Sequence, residues 1–134
     1  MMKRTHITIS IVSAILAVRY FNLEPITCII GSFIGSIAPD LDFKFKIRHR
    51  TITHSLLFLF ISSIFFVIID LKLGIGYFIG NILHLIADSF TKMGVPFLYP
   101  FIKKRYGVRL IKTNGYTERL FLLVLIYFFV YIIY

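Results

Sequence analysis

The sequence predicts an all-α fold: a small polytopic membrane helix bundle of about four to five helices, with a cytoplasmic N-terminus. Three observations predict it. Hydrophobic residues make up 58% of the 134 positions, and charged residues only 16%. Soluble chains run at about 45–50% apolar and about 25% charged, and a domain this small cannot hide the excess in one core. The apolar residues fall in five runs, at about 7–21, 26–38, 54–71, 74–91 and 120–134. The basic residues alternate between the two ends of those runs. The length allows one integral membrane domain, 1–134.

Each run has a reason to begin or end. The first follows Lys3 and Arg4 and ends before Glu24-Pro25. MMKR plus an apolar stretch resembles the opening of a signal peptide, but no small-residue cleavage site follows it, so the first helix is expected to stay. Pro39 stops the second run after 13 residues, since proline lacks the amide that a helix continuation needs. Runs three and four are long enough to cross a bilayer, which takes about 20 helical residues. Leu71-Lys72-Leu73-Gly74 reads as the tight turn between them. Gly94, Pro96 and Pro100 then break the chain into a loop reaching about residue 118. GSFIG (31–35) and GYFIG (76–80) carry small residues four apart, the spacing that lets helix backbones approach.

Orientation follows from charge. If every run crosses once from a cytoplasmic N-terminus, 13 of the 15 Lys and Arg share the cytoplasmic side and only Arg19 and Lys72 lie opposite. The formal net charge of +9 is then a topology signal rather than a nucleic-acid footprint, and no direct nucleic-acid binding is expected. Cys28 is the single cysteine, which excludes an intrachain disulfide and a cysteine zinc site.

The polar residues are concentrated. All four His and three of the four Asp are His6 plus members of Ala38–Asp42, His49–Ser55 and His84–Asp88. Under the charge-derived topology every one falls at the cytoplasmic face. His84 and Asp88 are one helical turn apart and continue a stripe from Tyr77 and Asn81. Asp40 and Asp42 are expected in an extended stretch, and Thr53 as the N-cap that puts His54 in the first turn of the third helix. Ionisable groups at membrane depth are costly and mark function. Imidazole with carboxylate is the donor set of Zn²⁺, or of Fe and Mn where oxygen dominates. The metal ligands are therefore placed at His49, His54, His84 and Asp88, with Asp40 and His6 or Asp42 completing them. Asp42 is assigned as a base and Arg50, near Lys46 and Arg48, as an anion clamp.

Plainer roles exist for each. Asp40 and Asp42 can solvate a basic loop, Asp88 can pair with Lys92, and His6 can be interfacial. His49 can be plain surface, Arg50 a membrane anchor, and His84 a hydrogen-bonded bundle histidine. Ser55, Ser89 and Thr91 read as capping or supporting groups.

PDLD (39–42), HRTITHS (49–55) and GNILHLIADSFTKMGVPFLYPF (80–101), with His6, together resemble the YdjM-like family, described as LexA-binding, inner-membrane-associated, metal-dependent hydrolases. The resemblance covers about residues 1–102. It implies a metal-dependent site on Asp40, Asp42, His49, Arg50, His54, Ser55, His84, Asp88 and Thr91, and a regulatory protein as partner. A more distant similarity to zinc-dependent phospholipase C and P1-type nucleases implies phosphoester chemistry, although those enzymes use more His and Asp ligands than this chain offers. The expected function is a hydrolase in the cytoplasmic (inner) membrane, holding a divalent metal, Zn²⁺ first, and acting on a phosphoester, lipid included, from the cytoplasmic side. The competing reading is a non-enzymatic membrane module whose basic loops recruit a protein or anionic lipid.

Overall fold

The structure is a computed structural model that describes residues 1–43 and 50–133. Among the described residues it is all-helical, with five α-helices and no strand beyond two isolated bridges. The helices are α1 (Lys3–Phe21), α2 (Pro25–Ile37), α3 (Leu56–Ile69), α4 (Leu71–Ser89) and α5 (Tyr116–Ile133). Each of the five apolar runs supplies one.

Helix boundaries follow local chemistry. α1 ends at Asn22, whose left-handed backbone lets its amide reach the Val18 carbonyl. Glu24 caps α2, accepting from the Ile26 and Thr27 amides, with Pro25 in the first turn. The Thr27 hydroxyl, followed by its amide, holds the Glu24 carboxyl below its ordinary pKa. Two expected boundaries are corrected. The break between the third and fourth runs is Asp70 alone, because its Oδ1 accepts from the Leu73 amide at 2.8 Å and starts α4 at Leu71. The residues expected to form a turn are α4's first.

The cap of α3 is Ser55, accepting from the Phe58 amide at 3.2 Å, rather than Thr53. This leaves α3 at 14 residues, shorter than its apolar run suggested, with His54 in a preceding 3₁₀ turn, Ile52–His54. Among the described residues no helix is long and apolar enough to cross a membrane. α2 and α3 are short, and the 19-residue α4 carries the polar stripe through its middle.

α4 is the hub, packing against α1, α2 and α3, while α5 lies against α1. The α2–α4 contact is backbone on backbone. A Cβ on Gly35 would sit 2.2 Å from the Tyr77 carbonyl oxygen, and one on Gly76 would sit 2.1 Å from that of Cys28. Only glycine allows that approach, which fulfils the spacing seen in GSFIG and GYFIG. Leu59, Leu85 and Val95 form the buried apolar core, with Leu56, Phe78, Ile82 and Phe97 around it. The loop after α4 folds back over the helix ends. Val95 and Tyr106 exchange two backbone hydrogen bonds at 2.8 Å, and Phe97 accepts from the Leu56 amide at 2.9 Å. This closure places Gly94 and Thr91 beside the end of α4, where the polar residues gather.

Candidate metal centre

His6, His54, His84 and Asp88 are all buried and meet in one place. His6 comes from the second turn of α1, His84 and Asp88 from the last turns of α4, and His54 from the 3₁₀ turn before α3. Asp40 joins them from the 3₁₀ segment Ala38–Phe43, which Pro39 starts by ending α2. That segment is helical where an extended stretch was expected, so Asp40 and Asp42 do not point the same way. They flank His54 instead. Asp40 Oδ1 is 3.9 Å from its Nε2, and Asp42 Oδ2 is 3.8 Å from its Nδ1.

The hydrogen bonds fix which ring nitrogen faces inward. His84 Nδ1 lies 2.7 Å from the Ser36 carbonyl, which can only accept, so Nδ1 carries the proton and Nε2 presents a lone pair. The Thr53 hydroxyl donates to Asp42 at 3.1 Å, so its oxygen accepts from His54 Nδ1, also at 3.1 Å. His54 Nε2 then faces the carboxylates, 3.5 Å from Asp88 Oδ2. The His6 and His84 rings stack at 3.7 Å, and His54 meets His84 edge-on at 5.2 Å.

These separations suit a cation. His84 Nε2 is 3.7 Å from Asp40 and 3.8 Å from Asp88, too long for hydrogen bonds. Ligands about 2.1 Å from a tetrahedral ion stand about 3.4 Å apart, close to these values. Two groups of donors could hold an ion: His6, His84 and Asp88, and Asp40, His54 and His84, each with its donor atoms within 4.8 Å of one another. They share His84. Its Nε2 and both ring nitrogens of His6, of which Nε2 is the one beside Asp88, are buried without a hydrogen-bond partner among the described residues. Leaving such atoms unpaired costs about 1–3 kcal/mol each, which a coordinated ion offsets at the nitrogens it ligates. The residues therefore fit a divalent metal.

Asp88 also carries compensating cations. Arg50 Nη2 donates to its Oδ2 at 2.7 Å, and the Met1 amine contacts Oδ1, which is also 3.2 Å from His6 Nε2. Arg50, 3% exposed, donates its Nη1 to Thr91 Oγ1 at 2.9 Å and to the Gly94 carbonyl at 3.2 Å. Asp42 accepts from the Arg50 amide at 3.0 Å. Arg50 has φ of 57°, a left-handed backbone that a non-glycine residue adopts at a cost of about 1–3 kcal/mol where its surroundings dictate it.

Of the residues singled out in sequence, the structure brings together His6, Asp40, His54, His84 and Asp88, with Arg50, Thr91 and Asp42 around them. His49, together with Lys44, Lys46 and Arg48, lies outside the described residues. Asp88 pairs with Arg50 rather than Lys92. Asp42, expected as a base, sits behind His54 at its outer nitrogen. Ser36 and Thr53 were missed as supports for the histidines. Ser36 acts through its backbone carbonyl, which no side-chain pattern reveals, and Thr53 reads in sequence as a helix cap.

A family model described as "YdjM inner membrane protein" matches residues 1–134. The chain is similar to a Bacillus subtilis (strain 168) protein named "Uncharacterized protein YvsG". The two are 32% identical over 139 residues, spanning 89% of this chain and 86% of that protein. No solved structure matches the chain.

Proposed function

The chain belongs to the YdjM inner membrane protein family, and from that premise and the geometry above we propose that it is a membrane-embedded, metal-dependent hydrolase acting on phosphoesters at the cytoplasmic face. The observation that carries this reading is the convergence of three buried histidines and two carboxylates from four chain segments, with the lone pairs of His54 and His84 turned inward by outer hydrogen bonds. His6, Asp40, His54, His84 and Asp88 are the proposed ligands, with Zn²⁺ the best match to a mixed imidazole–carboxylate set.

A divalent ion bound there would acidify water and polarise a phosphoryl oxygen. The chain's own residues do the rest. Ser36 and Thr53 hold the imidazoles in the ligating tautomer. Asp42 steadies His54 and the Arg50 backbone. Arg50 holds Asp88 in place and sets a guanidinium beside the centre, where it can stabilise phosphate charge. The loop that carries Thr91 and Gly94 covers the Arg50 guanidinium.

Membrane embedding is supported by what the bundle leaves uncovered. Phe60, Ile61, Ile64, Phe65 and Ile68 on α3, and Leu123, Tyr127 and Tyr131 on α5, are all more than half exposed. Continuous apolar faces of this kind on two helices call for lipid or another apolar partner. The N-terminus and the basic segments are assigned to the cytoplasmic side by their charge. The family name favours the inner membrane over a soluble setting.

The test is paired. Detergent-purified protein is expected to hold stoichiometric divalent metal and to hydrolyse a generic phosphoester in a chelator-sensitive way. Asp88→Ala should abolish turnover while a folded fraction remains. Bound metal with no turnover on any phosphoester would favour the non-enzymatic module, in which the cluster is a structural staple.

A further inference from the structure

Beside the His/Asp centre lies a cavity of about 400 Å³, lined by Arg50, Thr51, Ile52, Pro96, Tyr99, Lys103 and Arg105. That volume is within the range of small-ligand sites, about 300–1,000 Å³. Three of its seven lining residues are cationic and none is acidic. Among the described residues, Lys103 and Arg105 make no ion pair, so their charge is not cancelled locally. Arg50 differs from both. Its two terminal nitrogens are engaged by Asp88, Thr91 and Gly94, yet its Nε is buried with no hydrogen-bond partner among the described residues. A buried guanidinium N–H without an acceptor is expensive, and it identifies what the site lacks: an oxygen acceptor carrying negative charge.

We propose that this cavity is a phosphate-binding site, in which Arg50, Lys103, Arg105 and the Tyr99 hydroxyl receive the phosphate of a phosphomonoester. The ligand would be a lipid headgroup or a free phosphate compound. The four groups offer donors of the kinds that phosphate oxygens accept. Arg50 joins the two sites, because the side chain that lines the cavity also holds Asp88 at 2.7 Å. The loop carrying Lys103 and Arg105 is closed on itself by Val95 and Tyr106 and fastened to α3 and α4 through Phe97 and Val108, so the cradle is preformed. This assignment rests on the hydrolase reading for its catalytic meaning: it puts one phosphate next to the metal centre and makes phosphorylated molecules the substrate class. Phosphate binding as such does not depend on turnover.

Lys103→Gln with Arg105→Gln tests it. Lys103 is exposed and Arg105 half-buried, and neither touches the His/Asp cluster, so folding and metal content should match wild type. Binding is measured by calorimetry on full-length protein in zwitterionic detergent, with inorganic phosphate in one arm and phosphatidic acid in mixed micelles in the other. Wild type is expected to bind, and the double variant to bind at least ten-fold more weakly in the arm that wild type prefers. Tighter binding of phosphatidic acid assigns the site to a lipid headgroup, and equal or tighter binding of inorganic phosphate assigns it to a soluble compound. Absence of phosphate binding in wild type in both arms, or equal affinity in the double variant, overturns the proposal. A protein that binds phosphate but carries no metal leaves the cradle standing and removes the hydrolase reading instead.

Discussion

At the scale of single residues, the site is governed by which atom of each side chain is already committed. His84 donates its Nδ1–H to the Ser36 carbonyl in a hydrogen bond, so its Nε2 is left to face Asp40 and Asp88. His84→Ala is expected to remove the residue common to both possible ligand groups. Metal content by elemental analysis should fall from stoichiometric to background, with retained metal counting against the centre. Asp88 faces Arg50 at 2.7 Å in a buried setting. Asp88→Asn leaves that guanidinium without its counter-charge and should cost about 3–5 kcal/mol, read as a lowered unfolding midpoint in detergent. Ligation needs neutral imidazoles and ionised carboxylates, so metal affinity should weaken as pH falls. A competition titration at two pH values checks this, and tighter binding at the lower pH would contradict the ligand set. These residues were legible in the sequence because ionisable groups are scarce in so apolar a chain. The Asp88–Arg50 pairing was not, since the two lie 38 positions apart and Lys92 offers Asp88 a nearer charge.

At the scale of elements, the apolar runs announced the helices, and local chemistry moved their ends. Asp70 and Ser55 each cap a helix because an oxygen side chain precedes free amides. In the same way Glu24 starts α2. Its carboxyl is held below the ordinary pKa, so its contribution is present above the unfolded-state pKa and is lost as pH falls through the lower folded value. The α2–α4 contact is the element-level support of the centre, since Ser36 lies next to Gly35 and faces the helix that carries His84. Gly35→Ala would drive a methyl into the Tyr77 carbonyl. A destabilisation of about 1–3 kcal/mol is expected, together with weaker metal binding as Ser36 and His84 separate. Unfolding and metal titration on the same variant measure both. A stable variant with full metal affinity would mean that the two helices can part without disturbing the site.

At the scale of the whole molecule, one end of the bundle is polar and buried while large parts of α3 and α5 are apolar and exposed. On the proposed reading, that arrangement suits a body set in lipid with its chemistry at one surface. The short α2 and α3 fit a thin bundle better than a set of full crossings. Reconstituted protein should float with vesicles and resist extraction by high salt or alkali. Release by salt alone would make the attachment electrostatic and peripheral.

Composition and the order of polar and apolar stretches determined by themselves that this chain is a small, all-helical protein rich in apolar surface, with four of its ionisable His and Asp, His6, His54, His84 and Asp88, expected at one end. Those properties are local or additive, so they can be counted along the chain. Only the tertiary structure decided that His6, Asp40, His54, His84 and Asp88 share one centre, that Asp42 stands behind His54, and that Lys103 and Arg105 open a basic cavity beside Arg50. Such relations depend on how helices cross and how a loop folds back, and that is set by packing between residues far apart in the chain.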